Sequence, residues 1–272
     1  MELNFFESII DFLSYEVNKT PTMYSWFHIM FLLIVIVITI ICINRYKDST
    51  TKDINRLLRT FSVIMLLFEI YKQLVFSVDG SIWDYQWYIF PFQFCSVPMY
   101  LMLIASFLKD GNIRRGILVF LATYNLFAGA AVMLYPSDVF TSTLGISIQT
   151  MVHHGLMVVI GITLLVNGQI PLVRKEIFKA ASMFFILGFS AFLMNIAFHN
   201  VDGTFNMFFI GPYYDTHLPI LSTIESTFGY IPFLISYFVG FSLIAYLILL
   251  IAIFFKNKKF NIHKNERLNL NK

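Results

Sequence analysis

Cys95 lies in the run Phe90-Pro91-Phe92-Gln93-Phe94-Cys95-Ser96-Val97-Pro98-Met99, where two prolines bracket a single thiol. If a helix begins at Pro98, a favoured first-turn residue, Cys95 sits just outside a helix N-terminus whose unpaired N–H groups and dipole favour a thiolate. If it begins at Pro91, Pro98 kinks the helix and frees the Phe94 carbonyl. Either start makes an irregular polar spot. His153 and His154 form an adjacent pair preceded by Gln149 and followed by Gly155, which permits close helix approach. Neighbouring residues on a helix point about 100° apart, so one of the two imidazoles faces a given partner, and the residues alone leave open which. A thiol, an imidazole and carboxamides in one cavity suit nucleophilic acyl transfer: His takes the thiol proton and amide N–H groups hold the oxyanion. Gln93, Asn125 and Asn195 are the candidate oxyanion or head-group donors. A lone Cys in a membrane helix is more often a small packing residue, so the reading rests on its company.

Glu69 and Lys72 stand i, i+3 and Glu69 and Gln73 i, i+4, which places all three on one helical face and predicts an internal ion pair. Such a pair serves architecture as readily as ligand binding. Asn195 and His199 repeat the i, i+4 arrangement, and His28 stands beside Trp26 at a membrane interface. Two neighbouring His without an i, i+4 partner make no zinc motif, and no metal is expected. Residues 231–255 contain no Lys, which removes a retinal Schiff base, and no other cofactor is expected.

These side chains must be carried by membrane-spanning helices. Of 272 residues, 58% are hydrophobic and 13% charged, with 31 Phe and 14 Tyr, more apolar surface than one soluble core hides. Seven segments reach the ~20 apolar residues a span needs: 24–43, 57–76, 91–108, 114–134, 146–166, 177–198 and 231–255. Basic residues follow the odd-numbered spans, as at Arg45, Lys109, Arg174 and Lys256, while the loops after spans two, four and six contain no Lys or Arg but hold Asp79, Asp138, Asp202 and Glu225. The fold class expected is all-α, a polytopic seven-transmembrane-helix bundle with the N-terminus outside and the C-terminus cytoplasmic. Residues 1–22 form an interfacial amphipathic segment with apolar side chains at Leu3, Phe6, Ile10 and Leu13; residues 23–256 form the bundle and 257–272 a basic cytoplasmic tail drawn to anionic lipid. No nucleic-acid partner, inverted repeat or paired broken helix is expected, and the cell membrane is the expected location. Cys42 and Cys95 sit near opposite faces, too far apart for a disulfide.

In this topology His28, Glu69, Lys72, Gln73, Gln93, Cys95, Asn125, Gln149, His153, His154, Asn195 and His199 all fall in the outer halves of their spans, which implies a polar cavity opening outward. The loop 200–228, with Gly203, Gly211, Pro212 and Pro219, is a candidate lid.

At these residues the sequence resembles the YwaF-like bacterial integral membrane proteins, related more distantly to the eukaryotic transmembrane protein 164 family. The likeness rests on His28, Pro91 to Cys95, His154 with Gly155, Asn195, Asn206 with Pro212, and Gly229 to Pro232. It implies a seven-span fold. Eukaryotic relatives resemble acyltransferases that load a fatty acyl group on a Cys assisted by a His; by that likeness Cys95 is the nucleophile and His154 the general base. Bacterial relatives often carry His where this chain has Gln93. Two functions follow: a lipid acyltransferase or acyl hydrolase with membrane lipid as substrate, or a transporter or receptor-like protein that binds a polar ligand without covalent chemistry. In both, Gln93, Asn125, His153, Asn195, His28, Glu69 and Lys72 line the binding site.

Overall fold

The computed structural model describes residues 5–79, 82–136 and 139–270, with side chains described no further than Lys258. Leu3, Asp138, Lys272, the side chains of Phe6 and Asp79 and the basic side chains past Lys258 lie outside the described residues. Along the chain run α1 (Phe5–Leu13), α2 (Trp26–Tyr46), α3 (Thr51–Ser77), α4 (Val97–Phe107), α5 (Asn112–Ala122), α6 (Tyr124–Leu134), α7 (Leu144–Val166), α8 (Glu176–Phe198), α9 (Leu221–Phe228) and α10 (Tyr230–Leu270). A two-residue hairpin pairs Val78–Asp79 with Ile82–Trp83. Six helical stretches are long and apolar enough to cross a membrane, with α5 and α6 counted as one; α4 is a shorter seventh. The protein is an all-α polytopic membrane protein. Outward faces are apolar at four-residue spacing, as at Leu33, Val37 and Ile41 on α2 and Ile231, Ile235, Val239 and Leu243 on α10, all exposed. Inward faces build one core in which Ile54, Leu58, Met65, Met99, Met102 and Phe120 are fully buried.

Two spans are interrupted, one near the irregular spot that Pro91 and Pro98 predict and one that no Pro or Gly marks. Span three, read as 91–108, is helical only over the 11 residues of α4, about half of a ~30 Å hydrocarbon core at ~1.5 Å per residue. Its first six residues, 91–96, are irregular chain, preceded by one 3-10 turn at Trp87–Ile89. Bare backbone at membrane depth survives only where protein satisfies it: the Gln73 amide donates to the Ile89 carbonyl at 2.8 Å. Span four breaks at Thr123 (φ −124°, ψ −73°) between α5 and α6. There Thr123 donates to the Val119 carbonyl at 2.6 Å, and Asn125 Nδ2 donates to the Leu121 carbonyl at 2.9 Å, replacing ladder bonds that the kink removes. The two breaks are consecutive in the chain rather than repeated in two halves.

α6 packs along α7, α5 along α8, α3 along α4 and α2 along α7. Glycines set two of these approaches: a Cβ on Gly155 would meet Val35 Cγ2 at 2.5 Å, and one on Gly129 would meet Met157 Cβ at 2.7 Å and the His154 carbonyl oxygen at 2.9 Å. Gly129→Val is therefore expected to lower stability by about 1–3 kcal/mol through overpacking at the turn that carries His154, read as a lower unfolding midpoint in detergent. An unchanged midpoint would contradict the close α6–α7 packing. At the basic end, buried Arg114 ties three helices together, donating to the Ala105 carbonyl at 3.3 Å and to Asn55 Oδ1 at 2.8 Å. At the other end, α1 buries Ile10 and exposes Phe12. Val17 N donates to the Ser142 carbonyl at 2.9 Å and Tyr71 to the Leu13 carbonyl at 2.8 Å, so this segment lies where α7 starts and α3 ends.

Candidate functional site

Cys95 is positioned by its neighbours rather than by helix. Phe94 is buried among the rings of Phe120, Phe184, Phe208 and Phe241, with centroids 5.5–6.1 Å away, and fixes the chain one residue before the thiol. Ser96 and Val97 both donate backbone N–H to the Gln93 carbonyl, at 2.8 and 3.1 Å, and Met99 to the Ser96 carbonyl at 3.2 Å. α4 thus starts with Pro98 in its first turn, the first of the two expected arrangements. Its leading N–H groups are already engaged, however, so they do not form a free anion-binding end at the thiol. Cys95 is a half-buried free thiol whose sulfur has no hydrogen-bond partner among the described residues.

The histidine pair approaches from α7. His153, buried, places Nε2 2.8 Å from the Cys95 carbonyl oxygen. Since that oxygen only accepts, Nε2 carries the proton and the lone pair is on Nδ1, which is buried without a partner. His154 places Nδ1 2.8 Å from the Thr150 carbonyl, so its proton is on Nδ1 and its lone pair on Nε2. The two rings stand 5.5 Å apart. α7 therefore bonds one imidazole to the Cys95 backbone, and the adjacent ring, 5.5 Å from the first, has an unengaged Nε2. Neither imidazole is bonded to the sulfur.

α3 supplies the charge. Lys72 Nζ lies 2.8 Å from Glu69 Oε1, and the Gln73 amide donates to that same oxygen at 2.7 Å. Glu69 Oε2 and Gln73 Oε1 are buried acceptors with no donor, as is His153 Nδ1. Buried acceptors left without a donor take hydrogen bonds from water or a bound polar group.

Gln93 and Asn195 act on the outer loop. Asn195 holds both polar groups of Met207, donating to its carbonyl at 2.9 Å and accepting its N–H at 2.6 Å. Gln93 donates to the Asn206 carbonyl at 3.0 Å and accepts from Phe208 N at 2.9 Å. At the end of this clamped stretch Phe208 and Phe209 adopt left-handed backbone, φ 59° and 56°, a conformation that L side chains resist. The expected lid is thus a pinned cover whose Phe208 ring packs 5.9 Å from Phe92 and 5.5 Å from Phe94. Asn195→Ala strands two buried backbone groups and is expected to cost about 1–3 kcal/mol for each. Limited proteolysis within 200–220 should accelerate; wild-type cleavage kinetics would contradict the clamp.

The other candidates are placed elsewhere. Asn125 gives its amide hydrogens to the Leu121 and Met157 carbonyls, leaving none for an oxyanion, and its Oδ1 is buried without a partner. His28 is buried, accepts from Tyr24 N at 2.9 Å and donates to the Met133 carbonyl at 2.7 Å, which uses both ring nitrogens to join α2 to the end of α6. His199 stacks on Tyr213 at 4.0 Å, outside the Cys95 cluster. Tyr237 on α10 is a neighbour that sequence reasoning missed: fully buried, its ring 4.4 Å from that of Phe241, which packs on Phe94, and its hydroxyl unbonded among the described residues. One Tyr in an apolar span, in a chain with 14, carries no pattern to mark it. No group of three or more His, Cys, Asp or Glu side chains gathers to hold a metal ion among the described residues.

Neither the curated proteins nor the solved structures include a match to this chain. A family model does match, that of the TMEM164 family, over residues 23–261, which takes in every span and each side chain of the Cys95 cluster. The chain belongs to the TMEM164 family.

Proposed function

We propose that this protein, as a member of the bacterial YwaF-like branch in the cell membrane, transfers acyl groups from membrane lipid through Cys95. The observation that carries the reading is the pairing of an unbonded thiol, at the irregular start of α4, with an imidazole pair on α7 whose second member has the tautomer a general base needs. The Cys95 sulfur attacks a lipid ester carbonyl, forming a C–S bond, and its proton passes to His154 Nε2. Collapse of the tetrahedral intermediate breaks the ester C–O bond, and His154 returns the proton to the departing lysolipid oxygen. A hydroxyl of an acceptor, or water, then attacks the thioester; its proton goes to His154 and on to the released sulfur. His153 holds the Cys95 backbone in place. The oxyanion donors in this reading are the second amide hydrogen of Gln93 and the Tyr237 hydroxyl, neither of them engaged among the described residues.

Thiol chemistry gives a direct test. In vesicles containing a fluorescent acyl-labelled phospholipid, N-ethylmaleimide should stop turnover in the wild type and in Cys42→Ala alike, because Cys42 is buried in the inner half of α2. Undiminished turnover after complete alkylation of Cys95 would overturn the assignment. The ligand-binding alternative gives Glu69 and Lys72 the leading part, and removing both charges separates the two readings.

A further inference from the structure

At the basic end of the bundle, far from Cys95, α10 leaves a groove against α7. Its principal contacts are with α9, α6 and α8, and the space between it and α7 is a groove of about 620 Å³. Ile162, Leu165 and Val166 of α7 form one wall, and Ile248, Ile251 and Phe255 of α10 the other. Leu126, three residues past the α5–α6 break, is its floor, and the chain from Gly168 to Leu172 is its rim. Gly168 has φ +79°, and this left-handed turn lets the chain leave α7 sharply and lie along the groove mouth. The lining contains a single charged side chain, Lys256, exposed on the last turns of α10 before the basic tail.

We infer that this groove is a binding site for an anionic glycerophospholipid of the leaflet that faces the basic loops, with an acyl chain lying along Ile248 to Phe255 and the phosphate at Lys256. Three features support that occupant. Walls this apolar do not hold water, so in a bilayer the groove is filled by hydrocarbon. From Ile248 to Lys256 the helix advances about 12 Å, close to the depth of one leaflet's ~15 Å hydrocarbon layer, and the volume lies within the ~300–1,000 Å³ of small-molecule sites. The charge at the mouth, rather than the walls, gives preference: a Lys at this interface selects a phosphodiester bearing net negative charge over a zwitterionic one. No covalent step is involved, and the site is independent of the acyl-transfer proposal.

The test uses the full chain in nanodiscs with phosphatidylglycerol whose acyl chain bears a diazirine, and maps photolabelled peptides by mass spectrometry. Label should concentrate in 162–172 and 248–256, and unlabelled phosphatidylglycerol should displace it more effectively than phosphatidylcholine. Ala252→Trp, which fills the groove, should remove that label; Lys256→Gln should leave chain labelling in place but reduce the preference for phosphatidylglycerol about fivefold. Both positions are at the lipid surface, and an unchanged unfolding midpoint confirms that each variant is folded. Label spread evenly over the exposed faces of α2 and α10, label indifferent to Ala252→Trp, or equal displacement by the two lipids would overturn the assignment. So would a crosslink from this groove to a second copy of the chain.

Discussion

Cys95→Ala, reconstituted in vesicles, is expected to reduce acyl transfer by about 10³-fold or more, to the background rate, with the unfolding midpoint near that of the wild type. The thiol is half-buried and makes no hydrogen bond among the described residues, so its removal subtracts chemistry and little packing. His154→Ala should follow with a loss of about 10²–10⁴-fold, the usual contribution of a positioned general base. His153 differs in kind. Its Nε2–H supports the Cys95 carbonyl, so His153→Gln, which keeps an N–H donor, should retain far more activity than His153→Ala, whereas no such rescue is expected at His154. Equal losses in His153→Gln and His154→Gln would contradict this division of roles.

Glu69→Ala is expected to be the most damaging single change to stability, costing about 3–5 kcal/mol, because it leaves the Lys72 ammonium inside the bundle without its carboxylate. The same substitution strands the Gln73 amide, which divides its hydrogens between Glu69 and the Ile89 carbonyl. Removing both charges, as Glu69→Leu with Lys72→Met, should recover most of the stability, since the cost lies in the unpaired charge more than in the missing pair. The double variant also separates the two functional readings. An acyl-transfer enzyme stripped of Lys72 should be slower but should still form a thioester at Cys95. A ligand-binding protein would lose binding altogether in the double variant and be indifferent to Cys95→Ala.

The fold was largely legible because lipid enforces simple rules. The seven apolar segments and the alternation of basic loops located every span, and the structure has α2, α3, α5–α6, α7, α8 and α10 as spanning helices with α4 as a shorter one. The interruptions were harder to read. Pro91 and Pro98 announced a disturbance near Cys95 but left its form open, and at Thr123 no Pro or Gly marks the break. That break is stabilised by the side chains of Thr123 and Asn125, residues that also occur in straight membrane helices. For the site, depth alone put Cys95, His153, His154, Glu69 and Lys72 at one level, and in the structure His153 bonds the Cys95 carbonyl while Lys72 pairs with Glu69. Depth did not distinguish function from framework. His28, Asn125 and Asn195 lie in the same slab, yet their polar atoms bond carbonyls and N–H groups of kinks, helix ends and the outer loop. Such partners are backbone groups from distant parts of the chain, and side-chain type carries no trace of them. Tyr237 was invisible for the converse reason, a single polar atom on an otherwise apolar ring.

The most direct measurement is the intact mass of the purified protein after incubation with extracted membrane lipids, for the wild type, Cys95→Ala and His154→Ala, before and after hydroxylamine. A Cys95-linked acyl chain should appear in the wild type, disappear with hydroxylamine and be absent from both variants. A wild-type protein that turns over lipid acyl groups while Cys95→Ala does so equally, or an adduct that persists in Cys95→Ala, would contradict nucleophilic chemistry at this thiol.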